Sequence, residues 1–236
     1  LKFEPNAGIG RKGTFYKGLN LNMTLLVNEI FYSIQGESTF SGRPCIFVRL
    51  AGCNLRCSYC DTRYAYEQGV DMEITEIMNR IAAYQCRLVE ITGGEPLLQS
   101  QTPILIYRLL ENGYEVMLET NGSLDISRVD GRCIKILDIK CPTSGESDKN
   151  DLENLKRLGS KDQVKFVIGN RSDYEYAKEI MHSISPDFSE EQILFSPVSE
   201  RIPPSRLAEW ILEDNLNTRL HLQLHKIIWP DKRRGV

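Results

Sequence analysis

The sequence predicts an α/β protein built as a partial, open (β/α) TIM-like barrel, with a mostly parallel sheet of about six or seven strands. Beyond residue 73, short apolar runs alternate with amphipathic helical segments, and this alternation is typical of βαβ crossovers. About six or seven strands belong to this parallel alternation, which falls short of the eight strands of a closed barrel. Polar or glycine-rich motifs follow nearly every predicted strand, and in parallel barrels that edge forms the active site.

The individual elements follow from periodicity and from turn residues. Strands are predicted at 26–33, 45–50, 88–92, 115–119, 134–139, 163–168, 193–195 and 220–224, and helices near Ile74, Thr102, Leu152, Ser172 and Pro204. Ser172 and Glu175 form a predicted capping box. Residues 51–71 show little sign of regular structure, and loops of ~20 residues are uncommon unless they carry function.

Composition narrows the class of protein. The chain has 236 residues, 41% of them hydrophobic and 26% charged, which suits one globular domain or at most two small ones. A formal charge of −3 argues against a nucleic-acid partner. No apolar run approaches the roughly 20 residues needed to cross a membrane, and the polar start shows no secretory signal. Seven cysteines, three of them clustered, indicate a reducing compartment and a metal site, so we expect a cytoplasmic protein.

The clustered cysteines are Cys53, Cys57 and Cys60, spaced C-x3-C-x2-C. Thiolates are soft ligands, which favours an iron–sulfur cluster or zinc, with unpaired structural thiols as the remaining alternative. A closed structural zinc site has four protein ligands and a ferredoxin cluster has four cysteine ligands, but no fourth cysteine lies nearby. Three ligands leave one metal position open for chemistry.

This spacing, with Tyr59 just before the last cysteine, resembles that of the radical S-adenosylmethionine (SAM) enzymes. In that superfamily three cysteines hold a [4Fe–4S] cluster and SAM chelates the fourth iron. Gly93-Gly94-Glu95-Pro96, at the end of a predicted strand, resembles the superfamily motif that holds the methionine part of SAM. Taken alone, this motif would more often be a tight turn.

From Glu29 onward the chain resembles one family, the 7-carboxy-7-deazaguanine synthases. The motifs that carry this resemblance are Ser33–Glu37, Arg49–Cys57, Cys60–Thr62, Ile91–Leu97, Glu119–Gly122, Asp138–Lys140 and Gln223–Lys226. The resemblance implies one radical SAM domain over 23–236. Residues 1–22 are expected to be a dispensable N-terminal extension, with a surface-packed arm as the alternative.

The resemblance also implies an activity. 6-Carboxy-5,6,7,8-tetrahydropterin is rearranged to 7-carboxy-7-deazaguanine with loss of ammonia, in the route to queuosine. A [4Fe–4S] cluster on the three cysteines and catalytically used SAM supply a 5′-deoxyadenosyl radical, and Mg²⁺ assists. A one-electron reductant such as flavodoxin or ferredoxin and a homodimeric state are expected, with neither a nucleic-acid nor a membrane partner.

Most site residues carry over from the family motifs position by position, whereas Cys141–Thr143 and Ser196–Val198 are assigned because they lie at the ends of later strands. Residues expected to bind SAM are Tyr59, Asp61, Gly93, Gly94, Glu95, Cys141, Pro142, Thr143, Ser196, Pro197 and Val198. Residues expected to bind the substrate are Ile34, Gln35, Gly36, Glu37, Arg49, Thr92 and His225.

Specific roles are expected for two of these residues and for Thr62. The guanidinium of Arg49 matches the substrate carboxylate in a bidentate pair, with a structural ion pair to a local acid as the alternative. Thr62 is expected to bind Mg²⁺ through its hard oxygen, whereas a loop threonine is ordinarily a turn hydrogen-bonder. Tyr59 is expected near the adenine, with a packing role as the alternative.

Two other functions compete with this one. A glycyl-radical activating enzyme has the same cysteine spacing, but the Gln35-Gly36 loop and Cys60-Asp61-Thr62 argue against it. A non-catalytic zinc or iron–sulfur module would leave the Gly93-Gly94-Glu95-Pro96 loop and the predicted barrel without a purpose.

Overall fold

The computed structural model describes residues 23–198, 200–232 and 234–236. The predicted N-terminal extension, 1–22, lies outside the described residues. Within the described chain, nine strands form one sheet in the order β3-β1-β2-β4-β5-β6-β7-β8-β9. The strands are β1 Thr24–Ile34, β2 Pro44–Leu50, β3 Val70–Glu73, β4 Leu88–Gly93, β5 Glu115–Thr120, β6 Ile134–Ile139, β7 Gln163–Ile168, β8 Ile193–Pro197 and β9 Arg219–Leu220.

Four helices connect strands of the described sheet: α1 Ile74–Ala82, α2 Thr102–Glu111, α3 Arg171–Met181 and α4 Pro204–Glu213. A further helix, α5 Leu224–Ile228, follows β9. The segment Leu152–Arg157 is a 3₁₀ helix. Among the described helices, none is both long and apolar enough to span a bilayer.

The fold class is confirmed. Strands β2 and β4 through β9 pair in parallel, whereas β1 pairs antiparallel with both β2 and β3 at one edge. Seven strands are therefore joined in parallel, as predicted, and the antiparallel edge adds two. Strands β3 and β9 are the two ends of the described sheet, so the barrel is open.

The last strand differs from its prediction. Instead of a strand over 220–224, β9 ends at Leu220 and α5 begins at Leu224. The predicted capping box is also wrong, because Asn170 caps α3 by accepting a hydrogen bond of 3.0 Å from the amide of Asp173. Alternating side chains alone cannot separate a short strand from an extended segment that turns into a helix.

The two faces of the sheet bury different cores. One face packs against the helices in the larger core, to which Val48, Ile91, Leu118 and Phe166 belong. The opposite, concave face carries a smaller apolar group near the amino ends of the strands, which we call the apolar floor. The apolar floor consists of Cys45, Phe47, Leu88, Met117, Ile134 and Ile136.

Candidate active site

The three cysteines lie on the loop that follows β2. Cys57 is buried, and Cys53 and Cys60 are half-buried. Leu55 donates its amide to Cys53 Sγ over 3.4 Å, and Cys60 Sγ lies 3.7 Å from Thr62 Oγ1. Burial raises the pKa of the Cys53 thiol and raises that of Cys57 to about 11. Metal binding must therefore displace protons from these thiols.

These thiols are electrostatic neighbours, since the charge of Cys60 raises the pKa of both Cys53 and Cys57. In the described part of the chain, no group of three or more His, Cys, Asp or Glu side chains is already gathered as a metal site. The donor set nevertheless fits an iron–sulfur cluster with one open corner, because three soft thiolates share one short loop.

The cysteine loop packs directly onto the two glycines that follow β4. A Cβ on Gly94 would lie 2.0 Å from the carbonyl oxygen of Gly52 and 2.9 Å from the Cβ of Cys53. A Cβ on Gly93, whose φ is +152°, would lie 2.2 Å from Leu50 O. Only glycine allows this close approach of backbones.

Glu95 holds the glycine loop to the end of β5. Its carboxylate accepts hydrogen bonds from the Leu97 amide at 2.9 Å, Thr120 Oγ1 at 2.8 Å and the Asn121 amide at 2.7 Å. Burial raises the pKa of Glu95 although these bonds oppose the shift. The carboxylate expected to bind SAM thus already accepts three hydrogen bonds from protein donors.

The loop after β6 joins the cysteine loop as well. Ser58 donates its amide to Ser144 O over 2.9 Å and its hydroxyl to Thr143 O over 2.7 Å. Asp173 accepts the amide of Thr143 at 2.9 Å and also its hydroxyl. The expected SAM residues Cys141, Pro142 and Thr143 are thereby fixed against the loop that carries the cysteines.

Tyr59 and the segment after β8 lie beside these loops. Burial raises the pKa of the Tyr59 hydroxyl, which has no partner among the described residues. Arg201 connects the end of β8 to the cysteine loop. Its amide donates to Val198 O over 2.8 Å, its guanidinium donates to Ser58 Oγ over 3.0 Å, and it lies 5.8 Å from the Tyr59 ring centre. Ser196 is buried at the end of β8, and Pro197 is its last residue.

A charged group lies above the apolar floor, on the same concave face. We call it the polar layer. Its members are Gln35, Glu37, Arg49, Glu90, Thr92, Glu119, Asp138 and Lys165.

Lys165 is the centre of the polar layer. Its ammonium lies 2.7 Å from Glu37 Oε2, contacts Glu119 Oε1 and lies 3.5 Å from Asp138 Oδ2. Burial opposes the charge, but Glu119 and Glu37 outweigh it and raise the pKa of Lys165 well above its usual value. Glu37 also accepts Gln223 Nε2 at 2.6 Å. Burial raises the pKa of Glu37, but the positive charge of Lys165 outweighs burial and holds the pKa of Glu37 well below the usual range.

Arg49 forms an ion pair with a local acid, Glu29, as the alternative to substrate binding predicted. Its Nε donates to Glu29 Oε1 over 2.9 Å, and Tyr64 donates its hydroxyl to the same oxygen over 3.0 Å. Within the described chain, the two terminal nitrogens of Arg49 have no hydrogen-bond partner, so both are available to a ligand. Arg49 also pairs in register with Thr92 across β2 and β4.

The β1–β2 loop meets the C-terminal helix. A Cβ on Gly36 would lie 2.4 Å from His225 Nδ1, and Gly36 O accepts the amide of Leu224 at 2.9 Å. Ile34 is half-buried at the end of β1. His225 is also half-buried, and burial lowers its pKa against the charge of Glu37. Of the expected substrate residues, Ile34, Gly36 and His225 therefore lie at one rim, and the other four belong to the polar layer.

Asp61 and Thr62 lie at the outer side of this rim. Asp61 is exposed and pairs with Lys226 at 2.9 Å. The Thr62 hydroxyl makes no cap bond to the 3₁₀ turn Arg63–Ala65 that it precedes.

Comparisons with known proteins show which family the chain belongs to. The model of the radical SAM superfamily matches residues 48–165. A 7-carboxy-7-deazaguanine synthase of Chlorobaculum tepidum is 48% identical over 217 residues, covering 90% of this chain and 97% of that protein. Another of Koribacter versatilis is 42% identical over 224 residues, covering 89% of this chain and 99% of that protein. The chain belongs to the 7-carboxy-7-deazaguanine synthase family.

A solved structure shares the fold of this family member. The crystal structure of QueE from Escherichia coli matches with a TM-score of 0.67 at 24% identity, covering 85% of this chain and 94% of that one. Membership of the radical SAM superfamily implies a [4Fe–4S] cluster and SAM, and it decides against a non-catalytic zinc module. Family membership decides against the glycyl-radical activating alternative.

Several residues of the polar layer were not predicted as site residues. Glu90 and Lys165 received no role, and Glu119 and Asp138 appeared only inside motifs. A signal was present in the sequence, because parallel strands buried on both faces consist of nearly continuous apolar residues. A charged residue inside such a strand, as in the LVEIT of β4 or the QVKFVI of β7, therefore marks a polar site.

Proposed function

We propose that this protein converts 6-carboxy-5,6,7,8-tetrahydropterin to 7-carboxy-7-deazaguanine with loss of ammonia, in the route to queuosine. The main support for the proposal is that the cysteine loop and the glycine loop lie at the same rim of the sheet, directly above the polar layer. The loop bearing three neighbouring thiols rests on Gly94, and the concave face below that rim holds a buried layer of charged and amide groups. A polar heterocycle with a carboxylate needs such a layer beside a radical source.

Cys53, Cys57 and Cys60 would hold the [4Fe–4S] cluster. When bound, cluster and SAM supply the 5′-deoxyadenosyl radical that begins the rearrangement. We propose that the backbone of Gly93 and Gly94 takes the SAM ammonium, with Glu95 holding that backbone in place. Tyr59, Asp61 and the segments Cys141–Thr143 and Ser196–Val198 would complete the SAM pocket.

The polar layer would bind the pterin. Arg49 offers two free nitrogens to the substrate carboxylate, since Glu29 engages only Nε. Gln35 and Thr92 present amide and hydroxyl groups to the heterocycle edge. Gln35 is held in one orientation, because Nε2 donates to Glu90 and Oε1 accepts the Glu37 amide at 3.0 Å. Ile34, Gly36, Glu37 and His225 would close the rim above the ligand.

The ion and partner assignments rest on the family motifs. We propose that Thr62 binds Mg²⁺, which commonly takes only one or two protein oxygens and fills its other positions from water and ligand. A flavodoxin- or ferredoxin-type reductant, a homodimer and a cytoplasmic location belong to the same proposal. So does one domain over 23–236, with 1–22 dispensable for activity.

An anaerobic assay tests this function. Reconstituted, reduced protein with SAM and Mg²⁺ is expected to release ammonia and 7-carboxy-7-deazaguanine from the pterin, and less of both without Mg²⁺. Cys57→Ser is expected to lose cluster iron and activity, whereas the matched control Cys86→Ser retains both. Release of neither product by wild-type protein carrying a full cluster would refute the proposal.

A further inference from the structure

His221 lies on the concave face of the sheet, next to the polar layer. It follows β9, and its amide donates to Phe195 O over 2.8 Å. Strands β8 and β9 pair Leu194 with Arg219 and Phe195 with Leu220, so the next step places His221 beside Ser196. Paired residues of neighbouring strands lie on one face. Phe195 faces the helices, and therefore Ser196 and His221 face the concave side.

The imidazole of His221 is buried without a partner. The residue is 5% exposed, and neither Nδ1 nor Nε2 has a hydrogen-bond partner within the described part of the chain. Buried polar groups in native proteins are almost always paired, so an imidazole with two unpartnered nitrogens is a group that a bound ligand can satisfy. Burial lowers the pKa of His221, which keeps the ring neutral at pH 7 with one donor and one acceptor.

The charged and titratable groups that face His221 determine which hydrogen-bonding groups a ligand there needs. They are Glu37 from the β1–β2 loop, Lys165 from β7 and His225 from α5. Glu37 is already engaged by Lys165 at 2.7 Å and by Gln223 at 2.6 Å. A ligand between His221 and Glu37 must therefore present donors and acceptors side by side, as the edge of an aminopyrimidinone ring does.

We propose that His221 contacts the substrate: its imidazole hydrogen-bonds the polar edge of the pterin, opposite Arg49 on the concave face. This inference rests on the proposed function above. It adds a binding residue from the last strand, where the family motif supplied only His225.

Three variants of the reconstituted holoenzyme test the inference. His221→Phe keeps a ring of similar size and removes both nitrogens, and His221→Gln keeps an amide donor and acceptor. His182→Phe changes an exposed histidine at the C-terminal end of α3. Binding of 6-carboxytetrahydropterin is measured anaerobically with SAM present. We expect His221→Phe to weaken the substrate complex by about tenfold or more, His221→Gln by less, and His182→Phe to match wild type. SAM affinity is expected to stay unchanged in all three.

A second measurement needs no variant at the site. The chain contains three histidines, so ¹⁵N-histidine spectra of wild-type protein are simple to assign. Substrate is expected to shift the ring nitrogens of His221 and leave those of His182 in place. Unchanged affinity in folded His221→Phe, or unmoved His221 nitrogens in wild type saturated with substrate, would overturn the inference alone. Wild-type protein that binds no pterin would instead overturn the proposed function.

Discussion

The ammonium of Lys165 lies 2.7 Å from the Glu37 carboxylate while also contacting Glu119, and these three groups come from β7, the β1–β2 loop and β5. Residues separated by 128 positions in the chain are thus joined by one buried charge. We expect this buried ion-pair cluster to stabilise the fold and to shape the polar surface of the concave face.

Lys165→Met should destabilise the fold. The substitution leaves Glu37, Glu119 and Asp138 without their shared cation in a buried setting, and such losses cost about 3–5 kcal/mol. Lys156→Met, which removes a cation paired with Glu153 at the surface, should cost about 0–1 kcal/mol. Chemical unfolding followed by circular dichroism measures both. Equal stability of the two variants would contradict the central role of Lys165.

Arg49→Ala should weaken substrate binding by roughly two to three decades, because a buried carboxylate without its partner costs about 3–5 kcal/mol. Arg43→Ala is the matched control, since Arg43 forms an exposed pair with Glu115 at 2.9 Å. Anaerobic titration with the pterin gives both dissociation constants. If Arg49→Ala binds substrate as wild type does, its pair with Glu29 is purely structural.

Glu90 should make stability depend on pH. Burial and the neighbouring Glu119 raise its pKa from about 4.5 to about 8, against the hydrogen bond from Gln35. Between about pH 4.5 and about pH 8, Glu90 keeps its proton in the folded protein but loses it in the unfolded chain. The contribution of Glu90 to the free energy of unfolding therefore falls as pH rises. Glu90→Gln removes the titration. We expect its free energy of unfolding relative to wild type to increase by about 1–3 kcal/mol from about pH 5 to about pH 8.

The control for this pH dependence is Glu76→Gln, in an exposed pair with Arg80. Its difference from wild type should change little over the same range. A Glu90→Gln difference that is constant with pH would mean that Glu90 is ionised throughout.

Gly94→Ala should disturb the cysteine loop. The added methyl would lie 2.0 Å from Gly52 O, which is backbone and has little freedom to move. Iron and sulfide content after reconstitution should fall, together with SAM binding. Gly131→Ala is the control, because nothing lies within 4 Å of a Cβ there. Full cluster occupancy and normal SAM affinity in Gly94→Ala would contradict the close packing of these two loops.

Most regular elements were predictable from local patterns. The period of Ile74, Ile77 and Ile81 predicted α1, and all three side chains are buried as that period requires. The strands of the parallel sheet were predictable because each is a short apolar run bounded by turn residues. The end of the chain was not, since the alternation of His221 and His225 resembles a strand although α5 begins between them.

The sequence by itself determined the thiol spacing, the glycine loop and the order of strands and helices, because these depend on neighbours along the chain. Only the tertiary structure decided that Glu90, Glu119, Lys165 and His221 share one concave face. It also decided that Arg49 is partnered by Glu29 and that Glu95 accepts three hydrogen bonds from protein donors. Neither ring nitrogen of His221 has a partner among the residues that the structure describes. The physical reason is that sheet register and strand order bring together residues whose separation in the chain leaves no local pattern.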